Sequence, residues 1–202
     1  MSLLFLGTEA LEKEAHSSTR VIKIAGCLLV AAFAQTTLTK VWPSLGYIDW
    51  LLLVTVYVGL MRDPAQALLT GTAAGLLQDA SSAASIGISG MAKVLAAYLA
   101  FWVSSRVFVE GPLIRFLTVA GASVINTLTT LAFYRMLRFE LPPLGGTNSV
   151  IKELVLGLIA NLILAVPTFI ALDRVFHLGT RQRSRRAEAM RGMRRRRWKK
   201  MV

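Results

Sequence analysis

Leu154–Leu172, LVLGLIANLILAVPTFIAL, runs for 19 residues without one charged side chain. At about 1.5 Å of rise per residue, such a helix covers about 28 Å, close to the hydrocarbon thickness of a bilayer. Its apolar residues fall on every side, so no polar stripe is left to face water. In a chain of 22.1 kDa that points to lipid and not to the centre of a large globule. Val21–Thr39, Pro43–Met61, Ile86–Ser104 and Pro112–Leu137 read the same way. Pro64–Asp79 would cover only about 24 Å, which predicts a short, thinned or partly unwound span. The expected fold is an all-α integral membrane protein, a six-transmembrane-helix bundle.

Composition agrees. Hydrophobic residues make up 54% of the 202, and charged ones 17%, against about 25% in an ordinary soluble domain. Three regions follow: an N-terminal lead over 1–20, a transmembrane domain over 21–176 and a basic tail over 177–202. The lead reads either as a short interfacial helix, from Leu4, Leu11 and Ala15, or as a frayed polar segment. The net charge of +12 belongs mostly to the tail, where 11 basic side chains from Arg181 onward face one acid, Glu188. With six spans, Lys13, Arg20, Arg62, Arg106, Arg115 and the tail share one side, against Lys40, Arg135, Arg138 and Lys152 on the other. The excess of positive charge makes the first side cytoplasmic, with both termini inside. The tail, Arg194, Arg195, Arg196, Arg197, Lys199 and Lys200 above all, is expected to lie on anionic lipid, each basic residue contributing roughly 1 kcal/mol near the surface. A plain topology anchor or a site for an acidic partner are its other readings, and nucleic acid is not expected.

Motifs for chemistry are missing. No nucleophile–base pair, phosphate loop, pair of carboxylates or HExxH spacing occurs, and Cys27 is the only cysteine, so no enzyme activity, metal or cofactor is expected. Attention falls on ionisable groups that lipid makes costly: Lys23, Asp49, Asp79 and Lys93. Lys93 sits seven residues into its span, about 10 Å deep. Asp79 ends the previous span within pairing reach of it, or else Lys93 snorkels outward and Asp79 rests among headgroups. Lys23 and Asp49 read as interfacial. Asn126 and Asn161 are expected to make interhelical hydrogen bonds, and Pro167 to kink the last span. Gly71 with Gly75, and Ala92, Ala96 and Ala100, form small-residue stripes for close helix packing, within the bundle or against a partner.

The middle of the chain resembles a known family. Ile48–Leu60 (IDWLLLVTVYVGL), the turn Arg62-Asp63-Pro64, Gly71–Asp79 (GTAAGLLQD), Gly87 and Lys93–Leu99 (KVLAAYL) are similar to the pattern of the rod shape-determining protein MreD family. The resemblance implies an inner-membrane protein of the bacterial elongation machinery. It would work with MreC, near MreB filaments and the glycan polymerase and transpeptidase of peptidoglycan synthesis. It also implies a fold similar to the substrate-binding subunits of energy-coupling-factor transporters. No catalytic residue carries over, and nothing carries over to the tail.

The function expected is a membrane scaffold that maintains rod shape by binding MreC and helping organise the synthesis enzymes. Gly71, Gly75, Asp79 and Lys93 are the candidate partner-binding or structural residues, with Asp79→Ala or Lys93→Ala expected to weaken the complex while the bundle stays inserted. The alternative is a small-molecule-binding subunit of a vitamin-type transporter, with a pocket built partly from the Ser81–Ser85 linker and the Arg138–Ser149 loop.

Overall fold

The computed structural model describes residues 2–42, 46–82, 87–106, 112–136, 152 and 154–176, with side chains from Thr19 onward except those of Ser82 and Pro112. All regular structure among these residues is helical. The six helices are α1 (Ser2–Val41), α2 (Trp50–Gly59), α3 (Pro64–Ser82), α4 (Ile88–Arg106), α5 (Pro112–Met136) and α6 (Leu154–Phe176). Four of them hold stretches long and apolar enough to cross a membrane: Thr19–Val41, Ile88–Arg106, Leu113–Met136 and Leu154–Phe176. The linker at 83–86, the loops at 107–111 and 137–151, and the tail from 177 lie outside the described residues. So do the tail arginines and, apart from Ser81 and Ser82, the residues named for the outer pocket.

Three helices differ from the sequence reading. The segment expected to span from Pro43 to Met61 is helical only over Trp50–Gly59, 10 residues and about 15 Å, half of a bilayer. Its start is fixed by Asp49, whose Oδ1 accepts the Leu52 amide at 2.8 Å, an N-cap that closes the first turn. Residues Leu51–Gly59 are all buried, so α2 is the axis of the bundle and meets protein on every side. An all-round apolar helix reads alike whether its neighbours are lipid or other helices, which is why its pattern predicts a full span. The expected thinned span over Pro64–Asp79 is a regular 19-residue helix, about 28 Å long. Gln66, Thr70, Thr72, Gln78 and Asp79 make it more polar than the four spans. The N-terminal lead continues into the first span as one 40-residue helix.

Turn chemistry follows the sequence. Pro64 opens α3, where a missing amide hydrogen costs nothing, and Asp63 Oδ1 accepts the Gln66 amide at 3.2 Å. Pro112 opens α5 in the same way. Arg62 takes a positive φ of 65° in the tight turn between α2 and α3.

Glycine sets the closest packing. A Cβ on Gly71 would stand 2.8 Å from the Lys93 carbonyl oxygen and 3.0 Å from Val94 Cα, and one on Gly75 would fall on the Gly90 backbone. At the other end of α4, a Cβ on Gly59 would meet Ala100 Cβ at 2.7 Å and the Ala97 carbonyl at 2.9 Å. Ala92, Ala96, Ala97 and Ala100 of α4 are wholly buried. The small-residue stripes therefore bring α3 and α2 against α4 backbone to backbone, where dispersion holds helices that lipid does not push together. Gly75→Ala is expected to lower thermal stability in detergent markedly, by about 1–3 kcal/mol of overpacking. Gly90→Ala, where a Cβ meets nothing within 4 Å, should leave it nearly unchanged; comparable melting of both variants would contradict this packing.

Candidate functional site

Asp49 and Lys93 form a buried ion pair between Oδ2 and Nζ. Lys93 is 0% exposed and is the largest fully buried side chain among the described residues, while the Asp49 side chain is 13% exposed. Lys93 lies about 8 Å along α4 from its first residue, where an unpaired ammonium would be costly in lipid. The pairing expected with Asp79 does not form, and Lys93 does not snorkel. It turns inward to a carboxylate 44 positions earlier in the chain. Asp49, read from sequence as interfacial, is the centre of the arrangement.

The reason lies in the start of α2. A helix that begins inside a membrane protein leaves its first amides without partners and without water. Asp49 answers with one oxygen on the Leu52 amide and gives its other oxygen to Lys93. The Asp49 backbone amide in turn donates to Asn161 Oδ1 of α6 at 2.9 Å, and Asn161 Nδ2 donates to Ser123 Oγ of α5 at 3.2 Å. Asn161 and Ser123 are buried as well. One connected set of bonds thus joins α2, α4, α5 and α6. Asn161 makes the interhelical bonds expected of it; Asn126 differs, its Oδ1 being buried with no donor among the described residues.

Asp79 does separate work at the top of the α3–α4 hairpin. It is 1% exposed, and its Oδ2 accepts the Gly87 amide at 2.6 Å while Oδ1 accepts the Ser89 amide at 3.3 Å. Gly87 stands just before α4 with a φ of 107°, a conformation that suits glycine but offers no side chain to cap the helix. The carboxylate comes from α3 instead, and its negative charge faces the positive end of the α4 dipole. Gly71, Gly75, Asp79 and Lys93 are therefore all placed at contacts internal to the bundle.

A second polar cluster closes the opposite end of α2. The Tyr57 hydroxyl donates to Asp173 Oδ1 at 2.7 Å, and Arg115 Nη1 pairs with Asp173 Oδ2 at 3.1 Å. Tyr57 also packs edge-on to Phe169, with ring centroids 5.5 Å apart. Lys23 donates from Nζ to the Val175 carbonyl at 2.8 Å, placing a cation at the negative end of α6. On α4, Ser104 Oγ reaches the Gly59 carbonyl at 3.3 Å. Sequence reading passed over Asp173 because it falls just beyond the apolar run of the last span; an acid one turn from the end of α6 was its only signal.

These groups bind helices to one another; none presents a nucleophile beside a base. Lys93→Met should cost about 3–5 kcal/mol, because Asp49 would be left buried and unpaired. Asn161→Leu should cost less, about 1–3 kcal/mol for one orphaned backbone amide. Thermal unfolding of the purified variants checks both, and a Lys93→Met protein as stable as wild type would refute the buried-pair reading.

Among known proteins, no curated sequence and no solved structure matches the chain, which leaves the likeness to energy-coupling-factor subunits without support. A family model does match, that of the rod shape-determining protein MreD, over residues 18–175. That span takes in all six helices apart from the first residues of α1 and the last of α6. Its agreement with the multi-pass apolar architecture leads to one conclusion: the chain belongs to the MreD family of rod shape-determining membrane proteins.

Proposed function

We propose that this chain is an integral inner-membrane scaffold of the bacterial wall-elongation machinery. It maintains rod shape by binding the transmembrane helix of MreC and helping position the glycan polymerase, the transpeptidase and MreB filaments. The observation that carries this reading is the family match over residues 18–175. The geometry supports it in a second way. The buried ionic groups Asp49, Asp79 and Lys93 are engaged in holding the bundle together, and much of the outward face is apolar, with Leu29, Phe33, Leu69, Leu117 and Ile163 all strongly exposed.

Gly71, Gly75 and Lys93 meet the chain's own helices, so in this reading MreC docks on the lipid-facing surface and senses that region only through the shape of the bundle. Both termini lie in the cytoplasm. In this topology Arg20, Arg62, Arg106, Arg115 and Arg174 share the cytoplasmic side with the tail, as the positive-inside rule asks. The tail, including Arg194–Arg197, Lys199 and Lys200, rests on anionic lipid there. No observation favours the vitamin-transporter alternative.

Depletion in the host should turn rods into spheres under the microscope, and MreC should co-purify with the tagged chain. Cells that keep their shape but acquire a nutrient requirement would refute the scaffold and revive the transporter.

A further inference from the structure

Between α1 and α3, at the end where both helices finish, lies an open cleft of about 340 Å³. Its size falls within the range of about 300–1,000 Å³ common to small-ligand sites. The lining is unlike the rest of the membrane surface. Gln35, Thr36, Thr39 and Lys40 come from α1, Gln78 and Ser81 from α3, and only Ala32 and Leu51 are apolar. Gln35, Thr36 and Thr39 recur at helical spacing, so they form one half-buried polar face on a helix that also exposes Leu29, Val30 and Phe33.

Gln35 and Lys40 leave this cleft chemically incomplete. Gln35 Oε1 is buried with no donor among the described residues. Lys40 has no acidic partner among them. The Thr36 and Thr39 hydroxyls spend their hydrogens on carbonyls of their own helix, Thr36 on Ala32 at 3.0 Å and Thr39 on Gln35 at 2.6 Å, and so turn lone pairs outward. The cleft thus offers one cation and several acceptors. A complementary occupant carries an anion for Lys40 and hydroxyl donors for Gln35 and the threonines.

Depth narrows the choice. Trp42, 67% exposed, stands two residues after Lys40, and an aromatic residue of this kind marks the lipid–water boundary. Exposed apolar side chains lie within a turn of the lining, Phe33 on α1 and Leu76 on α3, where acyl chains can lie alongside. We propose that this cleft binds the headgroup of an anionic phospholipid that carries hydroxyls, of the phosphatidylglycerol type. The phosphate sits on Lys40 and a glycerol hydroxyl donates to Gln35 Oε1. Neither the family assignment nor the scaffold role requires this site, so its failure would leave both standing.

The test is native mass spectrometry of the full chain in detergent with phosphatidylglycerol or phosphatidylcholine added. Wild type should retain one phosphatidylglycerol beyond any held by the basic tail, and hold it in preference to phosphatidylcholine. Lys40→Gln should lower that retention about ten-fold, the worth of one charge-assisted hydrogen bond, and Lys40→Arg should restore it. Gln35→Glu, which keeps the side chain's shape but adds a negative charge, should also expel the lipid, while Lys152→Gln at an exposed site should not. Equal retention of both lipids, or indifference to Lys40→Gln, would overturn the proposal. Displacement of the lipid by millimolar glycerol phosphate alone would overturn it too, by assigning the cleft to a soluble phosphate.

Discussion

Starting a helix in the interior of a membrane protein creates a debt of unbonded amides, and the Asp49–Lys93 pair is how this chain settles it. A carboxylate at the N-cap satisfies the Leu52 amide, but a lone carboxylate at that depth would itself be costly. Lys93 neutralises it from α4, and Asn161 takes the amide that Asp49 still has to place. None of the three is affordable alone, and together they fix the height of α2 against three neighbours. The glycines act on the same contact from the other direction. Gly71 lies against the carbonyl of Lys93 itself, so α3 presses α4 into the register in which the ammonium reaches Asp49.

Short α2 gives the bundle its form. Because it is buried all round, the longer helices arrange themselves about it, with a polar clamp at each of its ends: Asp49, Lys93, Asn161 and Ser123 at one, Tyr57, Asp173 and Arg115 at the other. Both clamps reach α5 and α6, far along the chain from α2. A bundle built this way holds a fixed shape in a solvent that supplies no hydrophobic drive to association. Rigidity of that kind suits a scaffold, since a partner helix can read a surface only if the surface stays put.

Much of this was legible in the sequence, and the rest fails for a physical reason in each case. Unbroken apolar runs mark α1, α4, α5 and α6, because lipid demands a length and a composition that little else does. Pro64 and Pro112 mark helix starts. The stripe Ala92, Ala96, Ala100 marks a close-packing face. By contrast, the true length of α2 depends on where one cap falls and on what surrounds it, and neither leaves a periodic trace. Nearness along the chain suggested Asp79 as the partner of Lys93. Across a tight hairpin, however, the acid found two amides at the bare start of α4, and the lysine was left to a residue brought near only by the fold. Asp173 was hidden by lying just past the end of its span.

The measurement that bears most directly on this account is a double-mutant cycle on Asp49 and Lys93, read from the unfolding free energies of wild type, Asp49→Asn, Lys93→Met and the double variant. A partnered buried pair predicts strong coupling, about 3 kcal/mol, so that losing both charges costs far less than the two single losses summed. Strictly additive losses, with coupling appearing instead between Asp79→Asn and Lys93→Met, would contradict it.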